Sequence, residues 1–402
     1  MNKLFKRVKI LIFHFSSLFF IPFWVFQKFL PRKKNLWVFG AWHGQKFSDN
    51  SKEFFLNIVE NCKEINAVWI SRDKEIVNEL RSKGFESYTT NSFGGILKSL
   101  RAKLIIISSS KSDVNQFFIN GAKLIQIWHG APMKKIGVSV RTSKARKILL
   151  YTQKILFPFL YEYSYNYVVS TSQCFDEILS KAFLVPQNNI IKSGYPRNDI
   201  FFKSLKSNFI LNWDKQFNNP KKIIYLPTFR STSEETDFFK DYGFDENKFI
   251  KILEKYNAIF ITKGHFCDNQ ILSSDISQRI INLTDTEVVE INPILKDIDI
   301  LMTDYSGAYF DFLLTLRPII FTAFDLNDYI EKNNGINFDY QKSVAGPIAK
   351  NWDDVMFNLE KFLSADDSYF SKRQEKNKFF NEYNDGNSSK KLQIELKKLL
   401  DF

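Results

Sequence analysis

Short apolar runs alternate with amphipathic helical periods along this chain, and they do so in two series. The first is L-W-V-F-G (36–40), A-V-W-I (67–70), L-I-I-I-S (104–108), L-I-Q-I-W (124–128) and Y-V-V-S (167–170). The second is I-I-Y-L-P (223–227), A-I-F-I-T (258–262), V-V-E-I (288–291), I-L-M-T-D (300–304) and P-I-I-F-T (318–322). Unbroken Ile/Val runs, rather than strict apolar/polar alternation, are what a strand buried on both faces requires. Helices between such strands supply the cover, so the pattern predicts α/β architecture with parallel sheets. At 402 residues the chain exceeds what one hydrophobic core usually serves, which predicts two domains.

The polar stretch 202–222, with Asn212, Asn218, Asn219 and Pro220, reads as the connection between the series. The expected layout is a membrane-associating segment over 1–34 and a Rossmann-like, acceptor-side domain over 35–205. A linker over 206–222, a nucleotide-donor-binding Rossmann-like domain over 223–365 and a charged helical tail over 366–402 follow.

The amino-terminal segment 10–30 is apolar and flanked by Lys3, Lys6, Arg7 and Lys9 before it and Arg32, Lys33 and Lys34 after it. Its length just reaches across a bilayer. His14, Pro22, Gln27 and Lys28 interrupt it, and basic residues on both sides give no orientation signal. No small-residue cleavage site follows. An in-plane or shallow anchor is favoured over a span or an ordinary core helix. Seven basic residues and no acidic one lie between Lys134 and Lys154, ahead of I-L-F-P-F-L-Y (155–161). Basic residues beside aromatics suit a peripheral helix on anionic lipid.

The net charge of +12 favours anionic partners. No recognised nucleic-acid-binding module occurs, so a membrane surface is the expected partner rather than RNA or DNA. The three cysteines are scattered and lack CxxC pairing, which argues against a zinc site or a disulfide framework and for a reducing, cytoplasmic setting.

Of four histidines, three touch a glycine: His43, His129 and His265. Histidine accepts and donates protons near neutral pH. His129 lies in I-W-H-G-A-P-M-K-K-I-G (127–137), at the carboxyl end of a buried strand, where open α/β sheets bind ligands. Gly130 and Pro132 force a turn, and Lys134 and Lys135 attract phosphate to the same rim. The segment reads either as a general base for a hydroxyl nucleophile or as a turn histidine bonded to backbone. In T-K-G-H-F (262–266), Lys263 and His265 reach one phosphate if the segment is extended; the alternative is a basic loop.

T-D-Y-S-G-A-Y-F-D-F (303–312) opens a helix, where free N–H groups, the Ser306 hydroxyl and small Gly307 admit an anion. Asp304 or Ser306 as an ordinary helix cap is the plainer option. Arg230 ends Y-L-P-T-F-R (225–230), where a solvated arginine is the plainer reading. S-G-Y-P-R-N-D (193–199), with Arg197 and Asp199, falls at the domain junction as a hinge or a ligand contact. F-S-D-N-S-K (47–52) starts a helix near Ser48 or Asp49, or forms an acceptor loop with Asp49 and Asn50.

Taken in order, F-S-D-N-S-K, W-H-G-A-P-M-K-K-I-G, S-G-Y-P-R-N-D, Y-L-P-T-F-R, T-K-G-H, T-D-Y-S-G-A-Y-F-D-F, R-P-I-I-F (317–321) and A-G-P-I (345–348) resemble the CDP-glycerol:glycerophosphate glycerophosphotransferase family, the teichoic-acid primases and polymerases with their capsule-making relatives. The resemblance runs over about 49–348. It implies a GT-B-like pair of Rossmann-type domains facing across a cleft on the inner face of the membrane. It further implies that His129 activates an acceptor hydroxyl and that Lys263, His265 and Ser306 bind the diphosphate of a CDP-polyol, with Arg230 assisting. Asp304 and Gly307 belong to the same donor motif, and Asp49, Asn50, Lys134 and Lys135 to the acceptor side.

The chain departs from the family pattern at Ala131-Pro132, where Thr-Pro is frequent, at Phe266, where proline is, and at Gly307, where a second serine is. The last departure leaves ribitol phosphate or another capsule linkage open beside glycerol phosphate. The expected reaction transfers a polyol phosphate to a lipid-linked or polymeric acceptor and releases CMP. The sequence offers no dedicated carboxylate cage, so no tightly bound metal is expected, while a loosely held Mg²⁺ is compatible. The rivals are a sugar-nucleotide glycosyltransferase of the same fold and a non-catalytic, membrane-bound anion-binding scaffold.

Overall fold

A computed structural model describes residues 19–140, 143–228, 238–263, 278–284, 286–332 and 335–402. The first sheet holds seven strands: β1 (Lys33–Gly40), β2 (Asn66–Ser71), β3 (Ser87–Thr89), β4 (Ala102–Ile107), β5 (Lys123–Gln126), β6 (Tyr167–Ser170) and β7 (Ile190–Lys192). Their order is β3-β2-β1-β4-β5-β6-β7 and every pairing is parallel. The second sheet holds β8 (Lys221–Leu226), β9 (Ala258–Lys263), β10 (Ile280–Leu283), β11 (Ile300–Thr303) and β12 (Ile319–Phe321), ordered β10-β9-β8-β11-β12, again all parallel.

Both sheets reverse direction of growth beside their first strand, between β1 and β4 and between β8 and β11. These are the switch points where open α/β sheets leave a crevice for ligands. The strands are buried on both faces as their composition requires: Trp37, Val38, Phe39, Ile105 and Ile106 in the first sheet, Ile223, Ile224, Phe260 and Ile261 in the second. Apolar packing continues across the junction, with Phe175 of the first lobe edge-on to Phe310 of the second at 5.2 Å.

One sequence expectation needs correction. V-V-E-I (288–291) forms no strand; β10 takes the edge position beside β9 instead. Val289 is 54% exposed, and Asn292-Pro293 starts a short helix (Asn292–Leu295), so this β-prone run has no ladder partner. The connection 206–222 is partly helical. It contains the helix Asn208–Gln216, capped by the Ser207 hydroxyl and anchored by buried Ile210 and Trp213 three residues apart.

The carboxy-terminal helices Phe370–Phe380 and Ser388–Lys398 return to the first lobe. Phe380 packs at a tilt on Phe175, ring centres 5.7 Å apart, and the carboxylate of Asp199 accepts from the N–H groups of Ser388 and Ser389 at 2.8 and 2.9 Å. Asp199 thus caps the helix Ser388–Lys398.

No helix among the described residues is long and apolar enough to cross a membrane. The first described helix, Ile21–Phe26, has six residues, and segment 1–18 lies outside the described residues.

Candidate active site

His129 follows β5 on a turn that ordinary backbone resists. Trp128 takes φ 50°, and Gly130 takes φ 143° with its α-carbon facing Arg197; a β-carbon there would meet Nη2 of Arg197 at 2.7 Å. The imidazole lies between two indoles, its ring centre 3.9 Å from that of Trp128 and 5.1 Å from that of Trp42. His129 Nδ1 is 2.9 Å from the carbonyl of Ser108. A carbonyl only accepts, so Nδ1 carries the proton and Nε2 keeps the lone pair a general base needs. Burial lowers the pKa of this half-buried ring, outweighing the opposite pull of Asp49. At neutral pH the ring is the free base.

One loop after β4 organises both rim histidines. Ser108 orients His129 as above. The Asp113 carboxylate accepts from the N–H groups of Ser108, Ser109 and His43 at 2.9, 2.7 and 2.8 Å. His43 Nδ1 in turn lies 2.7 Å from the Ser112 hydroxyl. Trp42 and His43 both hold positive φ, 47° and 56°, a cost of order 1–3 kcal/mol each that persists only where surroundings impose it.

Arg197 joins the two lobes at this point. Nη1 donates to the His129 carbonyl at 2.7 Å and to Asp49 Oδ1 at 3.0 Å, while Nη2 reaches Asp311 Oδ2 in the second lobe at 2.6 Å. Asn198 donates to the other oxygen of Asp311 at 2.9 Å. Burial opposes the guanidinium charge, but Asp311 and Asp49 outweigh it and raise its pKa. Asn50 completes the brace: its Oδ1 accepts from the Arg197 N–H at 3.0 Å and its Nδ2 donates to the Trp128 carbonyl at 2.8 Å. Asp49 itself sits at φ 68°, and its N–H donates to Glu290 Oε1 of the second lobe at 2.5 Å; Lys52 pairs with the same carboxylate.

Between the lobes opens a cleft of about 440 Å³ lined by Trp42, Asp49, Arg197, Lys263, Glu290 and Ser306. Lys263 is the last residue of β9 and half-buried. Of the sequence-predicted donor residues, Lys263 and Ser306 thus reach one cavity. Gly307 backs against the first lobe, where a β-carbon would stand 2.9 Å from the Ala131 carbonyl.

Asp304 is buried and held by backbone N–H groups. It is 1% exposed, and its carboxylate accepts from the N–H groups of Thr228 at 2.9 Å and Tyr305 at 2.5 Å. It ties the segment after β8 to the end of β11. Arg230 and His265 lie outside the described residues. Lys134 and Lys135 sit at the seam between the lobes. The Lys135 N–H donates to the Gly335 carbonyl at 3.1 Å, and Lys134 Nζ stands 5.6 Å from the Tyr329 ring centre. Among the described residues no group of three His, Cys, Asp or Glu converges as a metal cage.

The family model of the CDP-Glycerol:Poly(glycerophosphate) glycerophosphotransferases matches residues 22–396. The chain belongs to this family. Among its glycerophosphotransferase relatives, a teichoic acid glycerol-phosphate transferase of Staphylococcus aureus is 28% identical over 371 residues, 90% of this chain and 92% of the relative. A teichoic acid poly(glycerol phosphate) polymerase of Bacillus spizizenii is 26% identical over 394 residues, 91% and 93% of the two chains. The solved structure of the wall teichoic acid polymerase TagF superposes with a TM-score of 0.74 at 18% identity, covering 92% of this chain and 90% of that one.

Within this glycerophosphotransferase site, sequence reading missed Trp42, Lys52 and Glu290, and saw Arg197 only as a junction residue. Glu290 was hidden inside the run read as a strand. The S-G-Y-P-R-N-D turn was the available signal for Arg197.

Proposed function

We propose that the protein transfers a polyol phosphate, glycerol phosphate first among candidates, from a CDP-polyol to a hydroxyl of a lipid-linked or polymeric acceptor in teichoic-acid or capsule synthesis. His129 Nε2 takes the acceptor hydroxyl proton. The freed oxygen bonds to the polyol-bearing phosphorus, the bond from that phosphorus to the CMP oxygen breaks, and CMP leaves with the electron pair. The observation that carries this reading is a neutral histidine with an unprotonated Nε2 on one lobe, beside a cleft whose other wall presents Lys263 and Ser306. Fixed cationic and polar groups aimed at a diphosphate meet the main electrostatic demand of such a step. Arg230 and His265 complete the donor side in this proposal, and no tightly bound metal takes part.

The acceptor's lipid is served by an apolar, basic surface. Phe19, Phe23, Val25 and Phe26 at the amino terminus are exposed, as are Ile148, Leu149, Tyr151 and Ile155 on the helix Lys144–Leu156, which also carries Lys144, Arg146, Lys147 and Lys154. Phe20 packs edge-on against Phe159 at 5.7 Å, which brings the two apolar segments together. A peripheral attachment to the cytoplasmic face of an anionic membrane follows.

CMP release from a panel of CDP-polyols, with ³¹P spectra of the product, tests the reading. CMP release with a new phosphodiester supports it; a product with no phosphodiester returns the chain to the sugar-transferring alternative.

A further inference from the structure

A second pocket, of about 420 Å³, opens on the first lobe at the carboxyl ends of β2 and β3. Arg72 and Lys74 follow β2, Thr90 and Asn91 follow β3, and Gln116 and Phe117 close the far wall. No carboxylate lines it, and among the described residues neither Arg72 nor Lys74 is in an ion pair. Thr90 is 6% exposed, and its hydroxyl has no hydrogen-bond partner within the protein. Asn115 Nδ2 donates to Asn91 Oδ1 at 3.1 Å, which leaves the Asn91 amide N–H groups as donors. Two cations and several uncommitted donors around one space match a phosphate, which takes charge-assisted hydrogen bonds from several sides.

The pocket is joined to the catalytic rim by two routes, one along the chain and one through a backbone hydrogen bond. Its Val114–Phe117 wall continues the loop that holds His129 through Ser108 and His43 through Ser112. The Arg72 N–H donates to the Gly44 carbonyl at 2.6 Å, in the turn that carries Trp42 and His43. On the opposite side Phe117 packs on Phe20 at 5.6 Å and Phe159 at 5.2 Å, next to the exposed amino-terminal aromatics. It therefore lies between His129 and the surface assigned to the membrane.

We propose that this pocket binds a phosphate group of the acceptor, holding the acceptor's anionic portion while its hydroxyl lies at His129. This rests on the transferase reading above.

The test is steady-state kinetics of the full chain and its Arg72→Ala/Lys74→Ala double variant with CDP-glycerol as donor. Two acceptors are compared: a lipid-diphosphate-linked glycan in vesicles and a water-soluble glycerol-phosphate oligomer. The double variant is expected to raise acceptor KM roughly tenfold to hundredfold, the loss typical of charge-assisted hydrogen bonds. KM for CDP-glycerol and kcat at saturating acceptor stay as in the wild type. A rise with the lipid acceptor alone assigns the pocket to the lipid diphosphate; a rise with both assigns it to chain phosphodiesters. Gln116→Glu, which places a carboxylate in the pocket, moves KM in the same direction.

Unchanged acceptor KM on both arms overturns the inference, as does weakened binding to acceptor-free anionic vesicles, which would give the pocket to lipid headgroups. A wild type that releases no CMP defeats the transferase reading itself. A double variant equal to an active wild type defeats only the pocket.

Discussion

Arg197 Nη2 stands 2.6 Å from Asp311 Oδ2, and this ion pair crosses the boundary between the two sheets. Asp311 is 3% exposed and Arg197 15%, so the pair is largely withdrawn from water, and the same guanidinium holds the His129 carbonyl. One side chain therefore takes part in both the catalytic geometry and the lobe docking.

Arg197→Ala removes the partner of two buried carboxylates. Breaking such a pair from one side costs about 3–5 kcal/mol, which chemical denaturation of the purified variant measures. Arg197→Lys is expected to fall between variant and wild type, because an ammonium cannot span Asp49, the His129 carbonyl and Asp311 with one planar fork.

His129→Asn is expected to lower kcat by about 10²–10⁴, the usual contribution of a positioned base, with KM for the CDP-polyol little changed. The pH profile follows from the lowered pKa of His129. The active form is deprotonated, so rate is lost as pH falls through the folded pKa. Because that value lies below the ordinary one near 6.5, the plateau extends below pH 6.5 before the acid limb begins. A limb centred at or above 6.5 would contradict the burial of this ring.

Transfer by the purified enzyme is expected to persist in excess chelator, since the donor-side charges proposed are Lys263, Arg230 and His265. Loss of turnover on chelation, restored by Mg²⁺, would give the diphosphate a metal partner instead.

Lys111 provides a stability test away from the site. Its ammonium is buried, donating to the Pro158 carbonyl and the Ser164 hydroxyl at 3.1 Å each, and burial lowers its pKa to about 7. An unfolded lysine keeps its proton to about pH 10.4. Between these values the unfolded chain binds the extra proton, so stability gains from this residue as pH rises from about 7 towards 10. Thermal melts should show that rise in the wild type and a smaller one in Lys111→Met.

Ile148→Glu and Tyr151→Glu, on an exposed helix face, are expected to fold normally by circular dichroism. Each should cut partition onto anionic vesicles about tenfold or more, since burying such a side chain is worth roughly 1.5–3 kcal/mol. Binding should also fall with added salt, because the basic residues of the same helix act through screened charge.

Much of this was readable in one dimension. Strands covered on both faces must be apolar throughout, so β1, β2, β4, β8, β9 and β11 announce themselves, and ligand motifs of parallel sheets sit just past strand ends, where His129, Lys263 and Ser306 were found. Strands of three residues, such as β3 and β7, carry too little pattern to register. Val288–Glu290 misled because β-propensity reports a side chain's fitness for a pleated surface, not the presence of a neighbouring strand.

By itself, then, the sequence determined the two-sheet α/β plan, the family and the histidine at the end of β5. Only the tertiary structure decided that Arg197 clamps Asp49 to Asp311, that Glu290 reaches the Asp49 N–H, and that the Asp304 carboxylate accepts from the Thr228 N–H. These partners lie from 76 to 241 residues apart. Local propensity and periodicity act over a few residues, whereas a cross-cleft ion pair exists only once two independently formed sheets have been packed together.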